Sequence, residues 1–434
     1  MVTTTQSNIC FQEFYAELQH ANQPDWLKKL RRSGFEAFES QGIPTRRHEE
    51  YKYTNLQELT THPFVLARET GEIQASVLDR WVPQEAVCFV FVDGFFSPAL
   101  SRYDEIAESI EFHVLSDGLM SPAALKHVIQ PIQVSDDIFD MLNTALFQDG
   151  VVLKIKDHAE IEPQVHIVSL FSGQPDVFIS PRHWIEIGEC TEVSLVQTSA
   201  SLDDQACWTN AHTQIHVAQN SQVAYTQIQA DSLAAYHIHN TQVHVARDSQ
   251  VECFTLTTGG RVVRNNFNVA LDGPGIDMTL NCLSTARGHQ HVDHHTVVDH
   301  RAPHSMSSQL YKNILADKGR TVFNGKIFVR QAAQQTNAYQ LNRNLLLSGK
   351  AEADTKPQLE IFADDVRCTH GATVGPINDA ELFYLQSRGM TRDQAISVMS
   401  HGFAEDVLAT VSDDEMRDSM RTLLVDFFDA IEGK

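Results

Sequence analysis

The sequence predicts a mainly β protein, a coil of short strands set between an N-terminal α+β region and a C-terminal helical domain. From about 151 to 376 the chain runs in short stretches of Val, Ile, Thr and Tyr broken by Gly, Asn and Asp, almost without helical periodicity. Within it IGECTEV (187–193), VAQNSQV (217–223) and VARDSQV (245–251) recur at a nearly constant offset, and VALDGPGI (269–276) continues the pattern less regularly. Helical signals are confined to the two ends. A period this short, with no helix inside it, suits strands stacked as a β-solenoid. A β-sandwich, with a turn after each short strand, is the alternative.

The N-terminal region 1–150 opens with apolar residues at helical spacing: Phe11, Phe14, Tyr15 and Leu18, then Trp26, Leu27, Leu30, Phe35 and Phe38. GIPTRRHEEYKYTNL (42–56) breaks that pattern with Gly and Pro, and AVCFVFVDGFF supplies an apolar strand ending at Asp93-Gly94. Region 1–150 therefore reads as α+β, and 151–376 as the strand coil. Region 377–434 carries three candidate capping boxes, Asn378 with Glu381, Thr391 with Gln394 and Ser412 with Glu415. Gly389 is placed to stop the first of these helices and Gly402 to interrupt the second. The last carries Met416, Met420, Leu423, Leu424, Phe427, Phe428 and Ile431 as an apolar stripe. Three short helices bury little alone, so the stripe is expected to pack on the β domain or on another protein.

Thirty-three Lys and Arg against 56 Asp and Glu give the 434-residue chain a net charge of -23. Such a field repels phosphate backbones and anionic lipid, so neither nucleic acid nor membrane is an expected partner. No uncharged apolar run reaches the roughly 18 residues of a spanning helix, and MVTTTQSN lacks the basic and apolar parts of a signal peptide, so a cytoplasmic location is expected. The seven cysteines, at 10, 88, 190, 207, 253, 282 and 368, include no CxxC pair. They form no recognisable disulfide framework, and a bound cluster would need ligands from elsewhere.

Two segments could carry chemistry. Six of the 21 histidines lie from His289 to His304. If this stretch is extended, His289, His291, Asp293 and His295 share one face, as the ligands of a cupin-like metalloenzyme would. The plainer reading is a polar ladder whose side chains hydrogen-bond one another. In ADDVRCTHGATVG (363–375), Cys368 and His370 stand two apart and project to one side of a strand, but they supply only half of a metal's ligands. Asp364 and Asp365 disfavour a thiolate there, so the residues alone favour a buried structural Cys beside a satisfied His. Walker A, GxSxG, HExxH and dinucleotide GxGxxG patterns are absent, and Asn324-Gly325 reads as a tight turn between strands.

GIPTRRHEEYKYTNL, VFVDGFFSPALS, LNTALFQDG, QHVDHHTVVDHRAPHSMSSQLYKNIL, VFNGKI, NRNLLLSGKAEADTKPQLEIFADDVRCTHGATVG and ELFYLQSRGM together resemble the SufB/SufD family of iron–sulfur cluster assembly proteins. CTHGATVG at 368–375 resembles the SufD branch. Asn313 departs from the family, which is expected to have Gly after Tyr-Lys, and the stretch that ends at Ser40 matches in character only. The resemblance implies a right-handed parallel β-helix core that pairs with SufB, and helical domains on which the ABC ATPase SufC docks. It further implies a non-catalytic scaffold in the SUF system, supporting cluster assembly and iron acquisition, with ATP hydrolysis by SufC remodelling the SufB interface. The isolated chain could instead pair with itself. A nascent iron–sulfur cluster would be held only transiently and shared with SufB, none being tightly bound to the chain alone. Carried over by position, His370 matches the histidine that faces a SufB cysteine, and Cys368 matches its neighbouring thiol. That implication reverses the structural reading of this pair.

Overall fold

A computed structural model describes residues 6–20, 23–103, 108–118 and 137–432. The remaining positions, which include the outer ends of the expected terminal regions, lie outside the described residues. From Val151 onward the strands alternate between two sheets. One carries Val151–Ile155, Arg182–Ile187, Cys207–Val217, Tyr236–Val245, Val262–Leu271, His291–His300, Arg320–Val329 and Glu352–Ile361. The other carries Glu160–Phe171, Glu192–Ser201, Gln222–Ala230, Gln250–Thr257, Asp277–Ala286, Met306–Leu315, Thr336–Leu346 and Val366–Pro376. Neighbouring strands of this series pair in parallel, giving a β-solenoid of about eight turns.

The repeat seen in the sequence is a stack of corners. Glu192 pairs with Gln222 and Gln222 with Gln250, so the spacing of the sequence repeat is the length of one solenoid turn. Cys190, Asn220 and Asp248 take positive φ of 53°, 59° and 59°, a conformation that Asn and Asp tolerate best among residues with a side chain. Beside them Ser221 Oγ accepts from Thr191 N (3.3 Å) and Ser249 Oγ from Ser221 N (3.2 Å), so each corner satisfies the backbone of the one before it.

Alternate residues fill the bore: Val193, Leu195, Ile215, Val243, Phe267, Val269, Leu280 and Val298 belong to one continuous core. Burial of each such side chain contributes roughly 1.5–3 kcal/mol. Both sheets are covered outside as well, which is why their strands lack an apolar-polar alternation. N-terminal helices Gln6–His20 and Asp25–Gln41 and helix Ile138–Leu146 lay Phe11, Phe14, Phe38 and Leu142 against Phe178, Trp208 and Tyr236 of the first sheet. Gly34 is required there, since a Cβ would lie 2.9 Å from Ala145 N and Met141 O. The Asp93-Gly94 turn follows strand Val87–Val92, as the sequence predicts.

C-terminal helices Arg392–Leu408 and Asp414–Ile431 cover the second sheet, and Asp379–Ser387 packs on the first of them. The stripe from Met416 to Phe428 packs against Val196, Ile228, Phe254, Leu283 and Ile314. It therefore covers the β domain rather than waiting for another protein. Thr391 forms a full capping box with Gln394. Asn378 caps through Ala380 N, and the third cap falls on Asp413 instead of Ser412. Gly389, at φ 95°, follows the first helix, whereas Gly402 interrupts nothing: Arg392–Leu408 runs through it.

Asn324-Gly325 is not a turn. Both lie inside strand Arg320–Val329, and Gly325 is needed because a Cβ would come within 2.4 Å of Gln340 Nε2 and 2.5 Å of Phe323 Cζ in the bore. Asn313 also points inward, wholly buried, and donates to Asn344 Oδ1 (2.6 Å) in a ladder that a glycine would break. Among the described residues no helix is long and apolar enough to cross a membrane.

Candidate functional site

The two chemistry-bearing segments meet different surroundings. His291–His300 is an interior strand, paired with Val262–Leu271 on one side and Arg320–Val329 on the other. His289 precedes it, exposed, so it does not join the face that the sequence assigned to it. His291, Asp293 and His295 do share the outer face, and the 42–56 segment covers them. Thr54 Oγ1 lies 2.9 Å from His291 Nε2 and donates to the Asp293 carboxylate. Arg264 Nη1 donates to Asp293 Oδ2 at 2.8 Å, with the guanidinium 4.0 Å from the centre of the Tyr51 ring. His295 lies between Asp293 Oδ1 (3.0 Å) and Glu50 Oε2 (3.3 Å).

Burial pushes the Asp293 carboxyl up, but the charges of His295 and Arg264 outweigh it and hold the group far below the carboxylate range. His291, buried next to the same carboxylate, is driven down to about 4 by its own desolvation. His294 faces the bore instead, 2.7 Å from Ser284 Oγ and 3.5 Å from Cys282 Sγ, and burial takes it to about 4 also. These donors and acceptors are spent on one another and on the N-terminal region. The arrangement is the polar ladder, and it fastens residues 49–54 to the solenoid.

Cys368 and His370 lie on Val366–Pro376, the last strand of the second sheet, paired on one side only, with Thr336–Leu346. Cys368 is in register with Ala338, and its half-buried thiol joins the end of the bore with Leu359 and Val366, against Ile327 and Ala338. His370, exposed, is in register with Gln340, which is fully buried and in turn in register with Gln309; Gln340 Nε2 lies 3.4 Å from Gln309 Oε1. Two residues along one strand place the pair on the same side, as the spacing predicts.

The thiol pKa is raised by burial, against a backbone hydrogen bond involving Ala338. The direction matches the sequence expectation, but its cause is desolvation rather than Asp364 and Asp365. Among the described residues no group of three or more His, Cys, Asp or Glu is placed to hold a metal ion. Cys368 and His370 thus place two side chains of ligand type and differing softness at an open end, and a metal held there would need further ligands from outside the described residues.

The first sheet ends there too, with Glu352–Ile361. Arg320 meets Asp354 at 2.5 Å, Lys326 meets Glu360 at 3.1 Å, and Lys356 reaches back to Glu49 at 2.6 Å. Beside these charges Tyr339, Ile361, Phe362 and Val374 are exposed. Both terminal strands leave one row of backbone groups for a further strand, the template by which sheet edges bind other chains. Gln340 and the apolar rim were not singled out by sequence. Their signal was register, which a single strand's composition does not show.

A model of the SUF system FeS cluster assembly SufBD core domain matches residues 170–403, and one of the SufBD protein N-terminal region matches residues 3–167. Iron-sulfur cluster assembly protein SufD of Escherichia coli (strain K12) is 32% identical over 380 residues, covering 87% of each chain. An iron-sulfur cluster assembly SufBD family protein of Synechocystis is 28% identical over 84% of this chain and 83% of its own. Protein ABCI7, chloroplastic, of Arabidopsis thaliana is 29% identical over 91% and 85%.

Proposed function

The chain belongs to the SufB/SufD family of iron–sulfur cluster assembly proteins and is SufD-like, and from that premise we propose that it is the SufD half of a scaffold on which a nascent cluster is built. One observation carries this reading: the two candidate ligands, Cys368 and His370, sit on Val366–Pro376, which among the described residues has a neighbour on one side only, at the open end of the solenoid. A SufB-like paralogue adding its own β-solenoid end to Glu352–Ile361 and Val366–Pro376 would bury the exposed apolar rim. It would also bring its thiolates to His370 and Cys368. The cluster is cargo, assembled across that contact. This chain contributes ligands and shape and performs no turnover.

The SufC-like ATPase docks on the C-terminal helices, but not on the apolar stripe, which the solenoid already occupies. Its surface is the Asp379–Ser387 helix, where Phe383 is 72% exposed and Tyr384 55%, against a single buried residue, Leu382. Truncation after Gly375 would therefore bare the outer face of the second sheet as well as remove the docking helix, so substitution is the cleaner test. Co-expression with a paralogue and ATPase, followed by anaerobic purification through a tag on this chain, should recover all three proteins with iron and sulfide. Phe383→Ser with Tyr384→Ser should lose the ATPase and keep the paralogue. Recovery of this chain alone would overturn the proposal.

A further inference from the structure

The outer face of the second sheet is largely apolar where the Arg392–Leu408 helix lies on it, with Asn281 at its margin donating to Thr410 Oγ1 (2.9 Å), and within it a charged side chain is buried. Lys312, on Met306–Leu315 between Leu310 and Ile314 of the same face, is 1% exposed. Its Nζ donates to Phe403 O at 2.9 Å and to the Asp406 carboxylate, and lies 4.3 Å from the centre of the Phe403 ring. Arg343, in register with Lys312 on the next strand, brings Nη1 to 3.7 Å from the same carboxylate. An ammonium buried in an apolar face gives no more stability than an aliphatic residue of its size, and its distinguishing property is that it admits one alignment of the packed surfaces. An apolar contact alone would let the helix slide by a turn.

The clamp also leads to the candidate site. Arg343 pairs with Thr373 on Val366–Pro376, three residues from His370. Beneath it Asn313 donates to Asn344, and Asn344 donates to Thr373 O at 3.0 Å. The sheet positions of Lys312, Arg343 and Thr373 thus form one row from the helix contact to the terminal strand. We propose that Lys312 is a positioning residue: with Asp406 and Arg343 it locks the Arg392–Leu408 helix to the sheet, so that displacement of the C-terminal helices is passed to the strand bearing Cys368 and His370. This rests on the proposed function only for what does the displacing, a protein bound at Phe383 and Tyr384.

Hydrogen exchange of the full chain tests the clamp without any partner. Asp406→Asn, at an exposed position, and Lys312→Met should each raise exchange of the Val366–Pro376 amides by about threefold or more, while Gln222–Ala230 stays at the wild-type rate. Lys312→Arg should restore most of the protection. Unchanged exchange in Asp406→Asn, which removes the carboxylate charge without touching the core, would overturn the proposal. So would an equal rise in Gln222–Ala230, the signature of general loosening. In a second arm, adding the ATPase should change exchange in Val366–Pro376 for wild type and leave Lys312→Met unchanged at equal occupancy. An equal change in both would overturn the coupling. If the ATPase binds neither protein, the functional reading fails while the first arm still decides on the clamp.

Discussion

The histidine-rich strand and the terminal strand hold similar side chains in the same kind of backbone, and their surroundings make them opposites. His291, Asp293 and His295 lie mid-solenoid, under the N-terminal region, with Thr54, Arg264 and Glu50 already meeting them. Cys368 and His370 lie where the stacking stops, the thiol half-buried and the imidazole exposed. Abundance of ligand-type residues is thus a poor guide to a site. What matters is whether the coordination they offer has been used up within the chain.

On the proposed reading the contrast makes stability the property of the first strand and assembly the property of the second. The largest loss should come from Asp293→Ala, which leaves the fully buried Arg264 without its carboxylate; about 3–5 kcal/mol is expected in urea denaturation. A loss below about 1 kcal/mol would mean that the N-terminal region is held by its aromatic contacts alone.

Acid should act on the same strand. His294 has a folded pKa of about 4 against an ordinary 6.5, so between those values the unfolded chain binds a proton that the folded chain does not. Its contribution to stability is therefore complete above pH 6.5 and falls by roughly 3 kcal/mol as the pH drops to about 4. Asp293 adds nothing in this window, because its folded pKa is depressed and its contribution declines only as the unfolded carboxyl protonates, below it. His294→Gln should lessen the slope between pH 7 and 5 by its own share, the rest staying with His166, His183, His291 and His300, which burial lowers likewise, and an unchanged slope would reject the assignment.

His291→Ala comes next, at roughly 1–3 kcal/mol, from the buried Thr54 hydroxyl oxygen left without the imidazole and from the space the ring vacates, Asp293 keeping Thr54, Arg264 and His295. The smallest effect is expected at the other end of the comparison. His370→Ala should change the denaturation midpoint by less than about 0.5 kcal/mol, since an exposed imidazole on an edge strand leaves nothing buried without a partner. A cost near that of His291→Ala would give His370 a structural role.

Much of the fold was legible because its signals are local. The corner repeat shows in a few residues around Asn220 and Asp248, the Asp93-Gly94 turn in two, and the last helix in its Met416-to-Phe428 stripe. Asn324-Gly325 misled for an equally local reason: the pair suits a tight turn, but here glycine is needed so that Gln340 and Phe323 can pass it in the bore. His289 misled because strand boundaries are weakly encoded. The Cys368-His370 pair was visible as a spacing and gained meaning only through family resemblance, since the residues alone favoured the opposite reading. Lys312 gave no signal at all. Its partners Phe403 and Asp406 are far away along the chain, and burial of a lysine is decided by what folds over it.

The most direct measurement is cluster yield per intact complex. This chain, a SufB-like paralogue and the ATPase are co-expressed, purified anaerobically and matched for assembled protein before iron and acid-labile sulfide are counted. His370→Ala should assemble in wild-type amounts and lose most of its cluster, with Cys368→Ala affected less, its short side chain lying back in the bore. A His370→Ala complex that builds clusters at the wild-type level would contradict the assignment of this open end as the shared ligand site.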